Sequence, residues 1–154
     1  IDKIIDAVFQ VQGGYALTIM TNKKLVGIRD PFGIRPLVLG KLKDSYILSS
    51  ETCALDIIGA NFIREIDNGE IIIIDKNGIE SIKPFPKVKS RPCVFEYVYF
   101  SRPDSIVGGK AVHQYRKKLG EELAKEIRID ADIVSAVPRS EEPCHADGPA
   151  GSRR

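Results

Sequence analysis

The sequence predicts an α+β protein in two parts: a mostly-β segment with meander order over residues 1–88, then the opening of an α/β unit over residues 89–138. Three observations carry this. Apolar runs too short for helices recur through the first part, with turn residues between them. Residues 83–92, KPFPKVKSRP, hold three prolines and four basic side chains. Proline brings no N–H to a strand ladder, so this stretch interrupts the β pattern and reads as a linker or crossover. Finally, a helical pattern over about 111–128 precedes ADIVSAVP, an apolar run of the kind that forms a buried parallel strand ending at a loop.

In chain order, Ile1, Ile4, Ile5 and Val8 follow helical spacing and read as the last turns of an amphipathic helix that ends near Gly13-Gly14. YALTIM and KLVGIR are strands joined at Thr21-Asn22-Lys23. PLVLGK and YILSS form another pair around Lys43-Asp44. Ser49 or Ser50 can cap a short helix through TCALDII, with Glu51 in its first turn, where the helix dipole favours an anion, and with Gly59 as its stop. FIREI and EIIIIDK are strands. DKNGIESI makes a hairpin in which Asn77-Gly78 supplies the positive φ angles. After the proline-rich stretch come CVFEYVYFSRPDS, the helix and the buried strand. The tail from residue 139, RSEEPCHADGPAGSRR, has no apolar period and reads as disordered.

Composition bounds the function. With 154 residues the chain can form one modest domain or parts of two. Its 43% hydrophobic and 29% charged residues are those of an ordinary globular protein. A net charge of +2 makes no electrostatic case for nucleic acid, and no apolar run is long enough to suggest a membrane helix. Cys53, Cys93 and Cys144 are widely spaced, and an odd number of thiols with no signal peptide suggests a reduced, cytoplasmic setting. His113 and His145 are too far apart for a local metal motif. The start at Ile1, inside a helical pattern and without an initiator Met, suggests a fragment.

The densest turn chemistry lies in GIRDPFGIRPLVLGK, residues 27–41. Pro31 presets φ, Asp30 can accept backbone N–H bonds, Gly33 tolerates a left-handed conformation, and Arg29 and Arg35 flank the turn. One reading is a rigid corner joining two core strands. The other is that the corner also shapes the wall of a site. Together with SSETCALD (49–56), FEYVYFSRPDS (95–105) and DADIVSAVP (130–138), this stretch resembles the amidophosphoribosyltransferase family over residues 1–138. The first two segments occur in similar form in other class II amidotransferases, such as glutamine-dependent asparagine synthetases. FEYVYFSRPDS sets this family apart from them.

The resemblance implies the C-terminal part of a class II, N-terminal-nucleophile glutamine amidotransferase αββα sandwich, followed by the truncated start of an α/β phosphoribosyltransferase domain. It implies that the parent enzyme converts phosphoribosyl pyrophosphate and glutamine into phosphoribosylamine, glutamate and pyrophosphate, at the entry to purine synthesis. The parent would be a homo-oligomer and would use Mg²⁺. In the family an N-terminal cysteine attacks the glutamine amide with its own α-amine as base. No catalytic residue is expected in this chain, because Ile1 stands where no nucleophile can be. The family's oxyanion-hole and glutamine-binding groups lie upstream of the position matching Ile1, and its phosphoribosyl pyrophosphate loop lies downstream of residue 138.

Cys93 matches a cysteine that, in some members, is one of four thiolate ligands of a [4Fe–4S] cluster. Taken alone it reads as a small buried hydrophobe, and no cofactor is expected in the isolated chain. Ser140 corresponds to a serine near the family's Mg²⁺–pyrophosphate site, although Arg139 departs from the family pattern there. Arg102-Pro103-Asp104 reads as a structural turn in which Asp104 bonds the next backbone N–H groups. Cys53 near a helix N-terminus has no partner base in view and reads as core. His113 reads as solvated. The alternatives are the glutaminase half of an asparagine synthetase, or a non-catalytic structural remnant.

Overall fold

The computed structural model describes residues 1–126 together with Ile129, Asp132 and Ile133. By internal contacts the chain divides into two units, Ile1–Cys93 and Val94 onward.

The first unit is built on strand alternation. β1 (Ala16–Met20), β2 (Leu25–Arg29), β6 (Ile71–Asp75) and β7 (Gly78–Ile82) form an antiparallel sheet in the order β1-β2-β6-β7. β3 (Val38–Leu42), β4 (Ser45–Ser49) and β5 (Asn61–Glu65) form a second antiparallel sheet in the order β4-β3-β5. Successive side chains of a strand point to opposite faces, and three cores follow from that. Val26, Ile28, Ile71 and Ile73 face one way and meet Ile4, Ile5 and Val8 of α1 (Asp2–Phe9). Ile72 and Ile74 face the other way and meet Leu37, Leu39, Tyr46 and Leu48 of the second sheet. Val38, Leu42 and Ile47, on that sheet's outer face, pack against Leu55 of α2 (Thr52–Ile57). The layer order is therefore helix, sheet, sheet, helix.

Gly27 lets the two sheets approach: a Cβ there would lie 2.7 Å from Leu48 Cδ1 and 2.9 Å from Ile72 Cγ2. The run IIII is buried on both faces for the same reason. One half of it fills the α1 core and the other half the inter-sheet core.

Several local expectations shift. α1 ends at Phe9, before Gly13, because the chain closes the helix with tighter bonds from Gln10 and Val11 to Ala7 and Val8. Glu51 is the N-cap of α2 rather than a first-turn residue, and its side chain makes no capping bond. Ser49 Oγ instead accepts the Glu51 N–H at 3.4 Å. In the β6–β7 hairpin only Gly78 has positive φ (+120°). Asn77 does not, because its N–H is held by the Asp75 carboxylate at 2.8 Å in an Asx turn. The proline-rich stretch is no free linker: its bonds run back onto the corner, within the unit that ends at Cys93.

The second unit begins with a π-helical turn, Glu96–Phe100, in which Ser101 N–H reaches Glu96 O at 3.1 Å. A short hairpin, β8 (Ile106–Val107) and β9 (Lys110–Ala111), turns on Gly108-Gly109 with φ of +55° and +72°. This hairpin has no counterpart in the sequence reading, since two-residue strands carry no period. α3 spans Val112–Glu126, and its first free N–H groups donate to Ser105 and Pro103 carbonyls. The predicted strand at 131–138, apart from Asp132 and Ile133, and the tail at 139–154, with Ser140, Cys144 and His145, lie outside the described residues. Among the described residues no helix is long and apolar enough to cross a membrane.

Candidate functional site

The corner predicted at Asp30–Arg35 leaves the end of β2 and enters β3. Asp30 is fully buried and organises it. One carboxylate oxygen accepts the N–H groups of Phe32 (3.0 Å) and Ile34 (3.1 Å), and the other accepts that of Arg35 (3.1 Å). Its main-chain carbonyl accepts from Gly33 and Gly69, both at 3.0 Å. Hydrogen bonds to a buried carboxylate are charge-assisted, so this side chain holds the three N–H groups of the corner more firmly than neutral turn bonds would.

Arg29 braces the outside of the corner. Its Nε donates to Arg35 O at 2.9 Å, its Nη1 to Ile66 O at 2.6 Å and its Nη2 to Gly33 O at 3.5 Å, while Glu65 lies 3.6 Å away. Of the two flanking arginines, it is Arg29 that holds the carbonyls. Arg35 enters the corner through its main chain. Gly33 has φ +66°, and a Cβ there would overlap the Asn68 amide, so both backbone and space demand glycine. Phe32 is half-buried, with the Arg91 guanidinium 5.7 Å from its ring centroid.

A loop from the other sheet completes the site. Glu70 has 1% of its side chain exposed. It receives both terminal nitrogens of Arg64 (2.8 and 2.6 Å), the Asp67 N–H (2.7 Å) and the Ser81 hydroxyl (2.7 Å). Burial opposes its ionisation, but the Arg64 and Ser81 side chains, the Asp67 N–H and the Arg64 charge together hold its carboxyl at about 2. Glu70 thus fixes the loop that delivers Ile66 O to Arg29, Gly69 N–H to Asp30 and Asn68 to Phe32. Tyr15, whose carbonyl accepts the Asp30 N–H, has a buried hydroxyl without a hydrogen-bond partner among the described residues. Burial and then the Asp30 charge push that hydroxyl's pKa up.

In the second unit the FEYVYFSRPDS segment is held by Arg116, 4% exposed, which donates to Tyr97 O and Ser101 O, each at 2.7 Å. Ser101 Oγ donates to the buried Glu96 carboxylate at 3.2 Å, and Tyr97 Oη donates to Val107 O at 3.0 Å. Asp104 is clasped by Arg102 (3.1 and 2.8 Å) rather than by the following N–H groups, because the guanidinium fork reaches both its oxygens. His113 is exposed as expected.

Cys53 is buried, with its thiol 3.6 Å from a Glu51 carboxylate oxygen. Cys93 is half-buried, and its N–H donates to Ile34 O at 3.4 Å. Among the described residues no three His, Cys, Asp or Glu side chains converge, so none of them joins Cys93 as a cluster ligand. The residues that sequence reasoning missed are Arg64, Asn68, Glu70, Arg116 and Glu96. The one visible signal was Asp67-Asn68-Gly69-Glu70, a turn ending in a carboxylate at the head of an apolar run.

Residues 2–56 match the family model described as a glutamine amidotransferase domain. The amidophosphoribosyltransferase of Rhizobium etli is 54% identical over 89% of this chain and 29% of its own length. That of Bacillus subtilis is 42% identical over 90% of this chain and 29% of its own length. The solved glutamine phosphoribosylpyrophosphate amidotransferase from B. subtilis, complexed with ADP and GMP, superposes with a TM-score of 0.90 at 41% identity, covering 94% of this chain and 32% of that one. Layer order and corner thus define a class II, N-terminal-nucleophile glutamine amidotransferase sandwich. Within that class the relatives that the chain resembles are amidophosphoribosyltransferases, and it spans about three tenths of their length.

Proposed function

We propose that this chain is part of an enzyme that converts phosphoribosyl pyrophosphate and glutamine into phosphoribosylamine, glutamate and pyrophosphate, the first step of purine biosynthesis. The observation that carries this is the pairing of the sandwich corner with a separately folded FEYVYFSRPDS unit in one chain, both within the 89% of the chain matched by the R. etli relative. On this reading residues 1–88 complete the glutaminase domain, residues 89–138 begin the phosphoribosyltransferase domain, and residues 139–154 depart from the family pattern. The corner sits behind the glutamine pocket and acts through geometry, since its polar groups are spent on one another.

For the full-length protein the same reading gives glutamine and phosphoribosyl pyrophosphate as substrates, Mg²⁺ as cofactor with Ser140 close to it, and a homo-oligomer. Cys93 would supply one of the four thiolates of an iron–sulfur cluster; its three partners would come from chain beyond the described residues. The free thiols of Cys53 and Cys93 favour a cytoplasmic setting.

The test is an assay of the full-length protein. Glutamate and pyrophosphate should appear one for one, and only with both substrates present. Glutamate release that depends on aspartate and ATP instead would point to an asparagine synthetase and overturn the reading.

A further inference from the structure

Residues 83–93 are attached to the first unit at few points. Lys83 Nζ lies 2.6 Å from Asp67, and Phe85 covers Gly69 and stacks on Phe9 with ring centroids 4.9 Å apart. From 86 to 92 every residue is exposed. The chain then returns to the corner. Ser90 Oγ receives the Asn68 amide at 3.0 Å and lies 3.5 Å from Phe32 O. Arg91 N–H donates to Phe32 O at 2.8 Å and Cys93 N–H to Ile34 O at 3.4 Å. Asn68 Nδ2 also reaches Phe32 O at 3.4 Å, so one side chain bridges the corner and the segment.

We propose that residues 83–93 form a releasable strap, latched onto the corner by Asn68 and Ser90, that opens and closes while the corner itself keeps its shape. The attachment is weak by construction. Three prolines remove donors, and among the described residues Arg91 and Cys93 are the only main-chain donors of 84–93 that bond. Exposure leaves little apolar burial to add to those bonds, which places the strap among the segments that open locally before the whole unfolds. The corner, by contrast, is closed by Asp30 and does not need the strap to keep its shape. The strap stands independently of the proposed reaction.

The test is amide hydrogen exchange on the 154-residue chain, comparing wild type with Asn68→Ala, Ser90→Ala and the exposed-turn control Asn22→Ala. In wild type the Arg91 and Cys93 amides should be protected, yet exchange faster than the core amide of Ile72. Asn68→Ala should speed their exchange by about tenfold, the order expected for losing one bridging side-chain hydrogen bond. Ser90→Ala should act in the same direction, Asn22→Ala should have no effect, and Ile72 should stay protected. Trypsin should also cut faster after Lys87 and Lys89 in both strap variants. If Asn68→Ala unfolds the sandwich, the Ile72 amide will report it and Ser90→Ala decides alone. The proposal is overturned if Arg91 and Cys93 exchange in wild type at unprotected rates, if they open only at the rate of Ile72, or if neither strap variant changes them.

Discussion

At the scale of single residues, Glu70 and Gly33 carry the sharpest consequences. The carboxyl of Glu70 is depressed from 4.5 to about 2, so its contribution to stability is complete above pH 4.5 and is lost as pH falls through 2. The difference in urea stability between wild type and Glu70→Gln should therefore be constant from pH 7 to about 4.5 and shrink below it. Arg64→Met should do more harm than its 39% exposure suggests, about 3 kcal/mol at pH 7, because it strands a buried carboxylate. It should also move the acid unfolding midpoint to higher pH. Arg64→Met with Glu70→Leu should recover much of that loss, since no unpaired charge remains. At Gly33, valine meets both a left-handed backbone and the Asn68 amide. We expect Gly33→Val to cost about 3 kcal/mol or more in chemical denaturation, and in the full-length enzyme to lower stability and glutamine hydrolysis together. Loss of hydrolysis at unchanged stability would make the corner a direct participant in catalysis.

At the scale of elements, the two sheets and the π-helical turn depend on different contacts. The sheets are held apart by one layer of side chains, and Gly27 sits where Leu48 and Ile72 leave no room for a methyl group. Gly27→Val should overpack this layer and cost about 2 kcal/mol by thermal or urea unfolding, although valine is the better strand former. Such a sign is opposite to that of intrinsic propensity, and it isolates the packing contribution. The π-helical turn is held to α3 by the Tyr97–Tyr115 ring contact at 4.7 Å and by the Arg116 guanidinium. Arg116→Leu leaves the Tyr97 and Ser101 carbonyls without that donor. Amide exchange at Tyr97 and Ser101 should rise, while the β6 amides of the first unit stay protected.

At the scale of the whole molecule, the described residues contain a sandwich corner, its bracing loop and a connected second unit, but no exposed thiol beside a free amine. Cys53 is buried and Cys93 has only a backbone partner. The 154-residue chain should release no glutamate from glutamine above a heat-inactivated control, whatever its stability. Detectable release would show that a nucleophile other than the family's N-terminal cysteine can act here.

Short-range chemistry in the sequence determined the strands, the corner and the family. Short apolar runs such as IIII and LVGIR marked the strands, and Asp30-Pro31-Phe32-Gly33 marked a turn in which glycine tolerates a left-handed conformation, because both effects act within a few residues. FEYVYFSRPDS was legible as a family signature, but its physical role was not. Only the tertiary structure brought Arg116 to it from 15 residues beyond Ser101, and Ile66 to Arg29 from 37 residues away. The same holds for Glu70 with Arg64 and Ser81, and for Asn68 with Ser90. These pairs join segments whose spacing has no period. For Arg29 with Ile66 and for Glu70 with Arg64 and Ser81, the energy comes from burying charge next to a partner that the backbone delivers only once both sheets are stacked.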